Sequence, residues 1–236
     1  PFSKKKKLKK IVEQYDIIHL HNIHGYYFML DYLDILKEKP VVWTLRDFWP
    51  ITGGCAVIRD CYKWKTGCGD CPHLEYYPKS IFFDRTAQMF KKKCEYIHKL
   101  TDLKIVTISK WANEIIKQSH LGGFDTSLIY EGLDTNVYTI RDTFVDKNNN
   151  RTSLLFIANK LTDKTKGLLH FLEGLKLLQE KEKYEIIFVG EKMPKSVKNT
   201  HLRGFVYKEY GYVSNPEEMS YLYSVSDLFI NLIISE

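Results

Sequence analysis

Short apolar runs alternate along the chain with stretches of helical periodicity. The runs occupy 16–20 (DIIHL), 41–45, 103–108 (LKIVTI), 127–130, 154–158, 184–189, 201–206 and 228–234. Between them apolar residues recur at helical spacing over 26–36, 81–100, 110–120, 168–180 and 217–224. Continuous apolar runs of this length, bounded by turn residues, predict buried strands. Strands that alternate with helices predict an α/β fold with parallel sheets and crossover helices. Ser109 is placed to cap the helix that follows it, and Pro216 stands at the first turn of the last one. The polar stretch 139–152, with Asn148-Asn149-Asn150, reads as a linker between a first domain (1–138) and a second (153–236).

In open parallel sheets, ligands bind beyond the carboxyl ends of the strands. After the first strand this edge carries His19, His21 and His24; after the second, Arg46 and Asp47. After the run 154–158 comes a polar turn with Lys160, Lys164 and Lys166, closed by Gly167. Ammonium groups beside the exposed N–H groups of a helix start suit a phosphate or diphosphate, whereas a solvated basic loop has the same composition.

Charge and cysteine content add to this picture. The net charge of +6 owes much to Lys4–Lys7, Lys9 and Lys10. Such a run marks a solvated helix face or a surface for anionic lipid. The basic residues do not alternate with aromatic ones as in nucleic-acid modules, so no nucleic-acid partner is expected. No apolar run reaches the ~20 residues of a membrane span, and no signal-peptide pattern is present. A cytoplasmic location is the default, with peripheral membrane attachment as an addition to it. Four of the five cysteines (Cys55, Cys61, Cys68 and Cys71) fall in an aromatic-rich irregular segment, 47–80. A loop this long inside a domain is functional or internally stapled. Cys68-Gly-Asp-Cys71 has the spacing with which two thiolates grip one tetrahedral ion, and Cys55 and Cys61 would complete the set. Structural zinc, free thiols and a disulfide all stay open. A redox role does not fit, because this C-x-x-C opens no helix. Trp43, Trp49 and Trp64 are expected to pack around this segment. The chain starts at Pro1 on a basic segment and stops at Glu236 directly after an apolar run, as a fragment of a longer polypeptide would.

Four segments, in order, resemble the GT-B glycosyltransferases, specifically the large retaining family four. They are DIIHLHNIHGYY; TLRDFWPITGGC with KWKTGCGDCP; VTISKWANEIIKQS with LIYEGLDTNVY; and NKLTDKTKG with the pattern that runs to YSVSDLFIN. The most similar enzymes in that family build bacterial polysaccharide, capsule or lipopolysaccharide. The resemblance implies two Rossmann-like domains, both incomplete here, with the acceptor site in the first and the donor site in the second. It implies transfer of a sugar, with retention, from a nucleotide-diphosphate donor to a hydroxyl of a glycan or lipid-linked acceptor. Lys160, where the family has Arg, and Lys166 would neutralise the donor diphosphate. Gly167, which closes the turn, would belong to the donor site; Gly190 would pass close to the nucleotide, Arg203-Gly204 would meet the base, and Glu236 would reach the ribose or sugar. His21, His24, Arg46 and Asp47 would stand at the reaction centre, although the family has His where this chain has Arg46. That departure leaves room for a degenerate homologue that binds a nucleotide sugar or partner without turnover. The resemblance implies no catalytic cofactor, and any zinc would be structural.

Overall fold

The computed structural model describes residues 2–25, 27–75, 83–140 and 150–233. The chain forms two compact units, the first reaching Glu131 and the second beginning at Gly132. Each is built on a four-stranded, wholly parallel sheet.

The first unit opens with α1 (Phe2–Val12), followed by β1 (Ile18–Leu20), β2 (Val41–Leu45), α2 (Thr86–Ile97), β3 (Leu103–Thr107), α3 (Lys110–Lys117) and β4 (Asp125–Leu128). Its strand order is β1-β2-β3-β4. The central strands are covered on both faces and so carry near-continuous apolar runs; Val41, Trp43, Leu45, Ile105 and Val106 are all buried. The α3 start is fixed as the sequence predicts, with the Ser109 Oγ accepting from the Ala112 N–H at 3.1 Å. The periodic stretch at 26–36 folds otherwise. Only a 3-10 turn, Leu30–Ile35, forms there. Leu30, Leu33 and Leu36 recur every three residues, a spacing that eclipses on a 3-10 turn and sets Leu33 and Leu36 into the core.

The second unit contains β5 (Thr152–Ala158), α4 (Leu168–Leu175), β6 (Tyr184–Gly190), α5 (Lys195–His201), β7 (Val206–Glu209), α6 (Pro216–Val225) and β8 (Leu228–Ile230). Its strand order is β7-β6-β5-β8, so successive strands run outward from β5 on one side before the chain crosses to the other. Such a reversal opens a crevice beyond the carboxyl ends of β5 and β8. On α4, Leu168, Phe171, Leu172 and Leu175 are buried at i, i+3, i+4 and i+7. Phe171 stacks on Phe156 of β5 with ring centroids 5.4 Å apart. Each such side chain contributes about 1.5–3 kcal/mol by leaving water. This helix stops at Leu175, short of the expected 180, because Leu177 finds no surface and stays exposed. On α6, Asn215 caps with its Oδ1 accepting from the Glu217 and Glu218 N–H groups, and Pro216 takes the first turn.

The expected strand 201–206 is corrected by the structure. His201 closes α5, Leu202 to Phe205 make a turn through Gly204 at φ +90°, and the strand begins at Val206.

Candidate functional site

In the first unit the carboxyl ends of β1 and β2 bring His21, His24, Arg46 and Asp47 to one tightly filled cleft that Trp49 also lines. His24 and Asp47 form a closely held pair. The imidazole Nε2 lies 2.5 Å from Asp47 Oδ2, with the two side chains 11% and 15% exposed. The other carboxylate oxygen accepts from the Trp49 N–H at 2.9 Å. A carboxylate fixed by a backbone N–H, in turn fixing an imidazole, is the arrangement that orients a group for proton exchange. His21 is not part of this pair. Its carbonyl accepts from Trp43 Nε1 and its ring lies against His19, which is held by Thr44 Oγ1 at 2.9 Å. Arg46 forms an ion pair with Glu131 at 2.5 Å. His24 and Trp49 also border a larger pocket of about 480 Å3, lined by Phe28, Met29, Met89, Lys92 and Tyr96.

Beneath this edge the loop after Asp47 is tied down by two groups that sequence reasoning missed. Lys93, on α2, is 1% exposed; its ammonium donates to the Trp49 and Thr52 carbonyls at 2.6 and 2.9 Å and lies 3.7 Å from the Trp49 ring centroid. Burial pulls its pKa down to about 7, against the opposing pull of Cys68, Asp47 and Cys55. In the sequence it is one of three consecutive lysines and reads as solvated. Its helical register with Thr86 and Ile97, both buried on α2, was the available signal. His120 Nε2 donates to the Pro50 carbonyl at 3.2 Å, and burial lowers its pKa to about 4.

The four loop cysteines, Cys55, Cys61, Cys68 and Cys71, line one small cavity of about 20 Å3. All are free thiols, as is Cys94, which lies outside that pocket. Burial, then the adjacent Cys71, push the Cys55 pKa up to about 12. Among the described residues no three His, Cys, Asp or Glu side chains already stand in metal-holding geometry. Trp43 and Trp64 are buried and Trp49 half-buried.

In the second unit the turn after β5 occupies the crevice of the sheet. Its backbone is set by Asp163, whose Oδ1 accepts from the N–H and hydroxyl of Thr165, and by a 3-10 turn at Lys164–Lys166. Lys160 is exposed and Lys166 half-buried, and among the described residues neither ammonium has an acidic partner. Gly167, at φ +74°, starts α4. A Cβ there would lie 2.1 Å from the Leu232 carbonyl oxygen, so only glycine lets the segment after β8 close on the turn. Gly190, at φ +130°, ends β6; a Cβ would stand 1.7 Å from the Ala158 oxygen. Lys160, Lys166, Gly167 and Gly190 therefore share one edge, at the carboxyl ends of β5, β6 and β8.

Arg203 and Gly204 do not join them. Val206 pairs with Glu185 at the start of β6, and Gly204 packs toward Lys181, so both residues sit at the amino end of the sheet. The residue that meets Gly190 is Gly211, whose carbonyl accepts the Gly190 N–H at 2.8 Å. Tyr210 and Tyr212 flank it and are exposed. The signal was a Gly-containing turn (EYGYV) directly after a strand, masked by the polar sequence of β7. Glu236 lies outside the described residues, as do most of the linker and the end of the Cys-rich segment.

No family model matches the chain. Over 101 residues it is 35% identical to a colanic acid biosynthesis glycosyl transferase, WcaC, of Escherichia coli K12, covering 39% of this chain and 25% of that protein. Sucrose-phosphate synthase from Thermosynechococcus elongatus superposes with a TM-score of 0.60 at 12% identity, over 97% of this chain and 53% of that one. HepE of Anabaena, solved in complex with UDP and glucose, gives 0.58 at 14% identity, over 96% and 55%. The chain thus spans a quarter of the curated relative's length and about half the length of these solved structures. With its two parallel-sheet, Rossmann-like units, the chain has the GT-B glycosyltransferase fold.

Proposed function

We infer that this chain belongs to a glycosyltransferase that moves a sugar from a nucleoside-diphosphate donor to a hydroxyl of a glycan or lipid-linked acceptor during polysaccharide assembly. The observation that carries the reading is the turn at the strand-order reversal of the second unit. Two ammonium groups that have no acidic partner among the described residues stand there beside two glycines that leave the backbone open. Lys160 and Lys166 would meet the charge that builds on the departing diphosphate; preorganised charge of this kind is the largest single term in many such reactions. The two ammoniums supply what a divalent cation supplies elsewhere, so the reading calls for no metal at the diphosphate. Gly190 and Gly211 would lie along the nucleotide, with Tyr210 and Tyr212 at its edge.

In the first unit, the pocket bordered by His24 and Trp49 would take the acceptor. The His24–Asp47 pair would orient its hydroxyl, and positioning of this kind accounts for much of the rate when the leaving group is already stabilised. Retention of the anomeric configuration is part of the reading and rests on the family resemblance. HepE, which shares the fold, was solved with UDP, so UDP-sugars are the first donors to test. The experiment is release of nucleoside diphosphate from a panel of UDP-, GDP- and ADP-sugars with polysaccharide-repeat acceptors, with the product anomer read by NMR. Acceptor-dependent release supports the reading.

One observation favours a second reading, a homologue that binds without turnover: Arg46, at the family's His position, is committed to Glu131 and cannot shuttle a proton at neutral pH. Tight diphosphate binding with no release from any donor would select it.

A further inference from the structure

We propose that Cys55, Cys61, Cys68 and Cys71 form a structural zinc site whose charge is balanced by the buried Lys93, and that this unit sets the loop carrying Asp47 and Trp49. The proposal does not depend on the sugar-transfer reading.

The four thiols line a single pocket although they come from three separate turns. The backbone from Gly67 to Asp70 makes this possible by an unbroken run of positive φ values: +139°, +53°, +104° and +44°. Two of those residues, Cys68 and Asp70, are not glycine, so the conformation is strained and persists only where the surroundings enforce it. The run folds Cys68 and Cys71 onto one side, where backbone N–H groups already point at their sulfurs. Gly53 N–H lies 3.1 Å from Cys68 Sγ and His73 N–H 3.4 Å from Cys71 Sγ. Donors aimed at sulfur stabilise a thiolate more than a thiol. Trp64 lines the same pocket, and its buried Nε1 has no acceptor in the structure. An orphaned buried donor is costly, and a thiolate is the acceptor this pocket offers.

Lys93 supplies the remaining element. Four thiolates around a dication carry a net double negative charge, which a buried site must offset. The Lys93 ammonium is fully buried and fixed by two carbonyls, and the groups that pull on its charge are Cys68, then Asp47 and Cys55. Among the described residues no carboxylate forms an ion pair with it, so its charge is left to more distant groups such as Asp47 and to the sulfurs. Because its carbonyl partners are Trp49 and Thr52, the same ammonium joins the cysteine pocket to the loop that holds the His24–Asp47 pair. Since the four thiols are not yet in metal-holding geometry, binding must draw them together, as metal binding coupled to folding does.

The test uses the chain purified in reducing buffer without added metal. Zinc is measured by elemental analysis, and Co2+ substitution is followed by its thiolate charge-transfer and tetrahedral ligand-field bands. Expected are about one zinc per chain, a tetrahedral all-thiolate cobalt spectrum, and full retention of metal by Cys94→Ser. Cys68→Ser should lose metal, and Lys93→Met should release it to a chelator at about tenfold lower chelator concentration, the loss typical of an outer-shell partner. The cobalt spectrum of the wild type does not depend on any variant folding. Absence of zinc and of the cobalt bands after supplementation, with five reactive thiols, overturns the proposal in favour of free thiols. Absence with three reactive thiols in a sample prepared without reductant overturns it in favour of a disulfide.

Discussion

Acid should loosen the first unit through His120. Its Nε2 donates to the Pro50 carbonyl, which assigns the proton to that nitrogen and leaves Nδ1 unprotonated, 3.3 Å from His98 Nε2. The rings of Phe90 and His98 pack on it, and Lys93 adds like charge. Burial first, then the charges of His98 and Lys93, lower its pKa from 6.5 to about 4 against the Pro50 hydrogen bond. Between those values the unfolded chain binds a proton that the folded chain refuses, so stability falls as pH drops through this window and levels off below it. A gap of this size corresponds to about 3 kcal/mol in full, of which about 2 kcal/mol is already lost at pH 5. All four tryptophans (Trp43, Trp49, Trp64 and Trp111) precede Glu131, so tryptophan fluorescence reports the unfolding of this unit alone. Urea unfolding should be followed at pH 7, 6 and 5 for the wild type and for His120→Gln, which keeps a donor for Pro50 but does not titrate. The wild type should lose about 2 kcal/mol more than the variant between pH 7 and pH 5. Parallel losses in both proteins would refute the assignment.

Three further outcomes are expected. Asp47→Asn keeps the size of the carboxylate but not its hold on His24, and should lower sugar transfer by about 10²-fold or more with little change in donor KM; an unchanged rate would remove the pair from the mechanism. Gly190→Ala places a methyl group 1.7 Å from the Ala158 oxygen at φ +130° and should destabilise the second unit by about 3 kcal/mol or more, read by hydrogen exchange of β5 and β6; protection equal to wild type would contradict the close approach. The lysines exposed on α1 (Lys4, Lys6, Lys7, Lys9 and Lys10) should bring the protein down with anionic liposomes at low salt and release it at high salt; no sedimentation at low salt would dispose of membrane contact through this helix.

Much of this architecture is legible in the residues. The apolar runs place every strand but β7 within a few residues, since buried parallel strands need continuous apolar sequence. The lysine turn is legible because a strand, a polar turn and a helix follow one another without interruption. Strand order is not legible: nothing local in the sequence tells that β8 returns to the side of β5 opposite β6, and this crossing is what makes the turn a crevice. The polar β7 (VYKE) hid behind the more apolar residues before it, which shifted the expected strand, so the approach of Gly211 to Gly190 was not foreseen. Lys93 was hidden for the opposite reason, a charged residue carried into the interior by helical register and by two carbonyls that no sequence pattern announces.

The central claim, a diphosphate site on the 159–167 turn, is tested most directly by thermal unfolding with UDP, GDP and ADP, each against the wild type and Lys166→Ala. The account predicts that one diphosphate stabilises the wild type, by about 2.7 kcal/mol at a concentration a hundred times its Kd, and that the substitution removes most of this gain without altering the unliganded protein. Stabilisation by none of the three, or equal stabilisation of the Lys166→Ala variant, would contradict it.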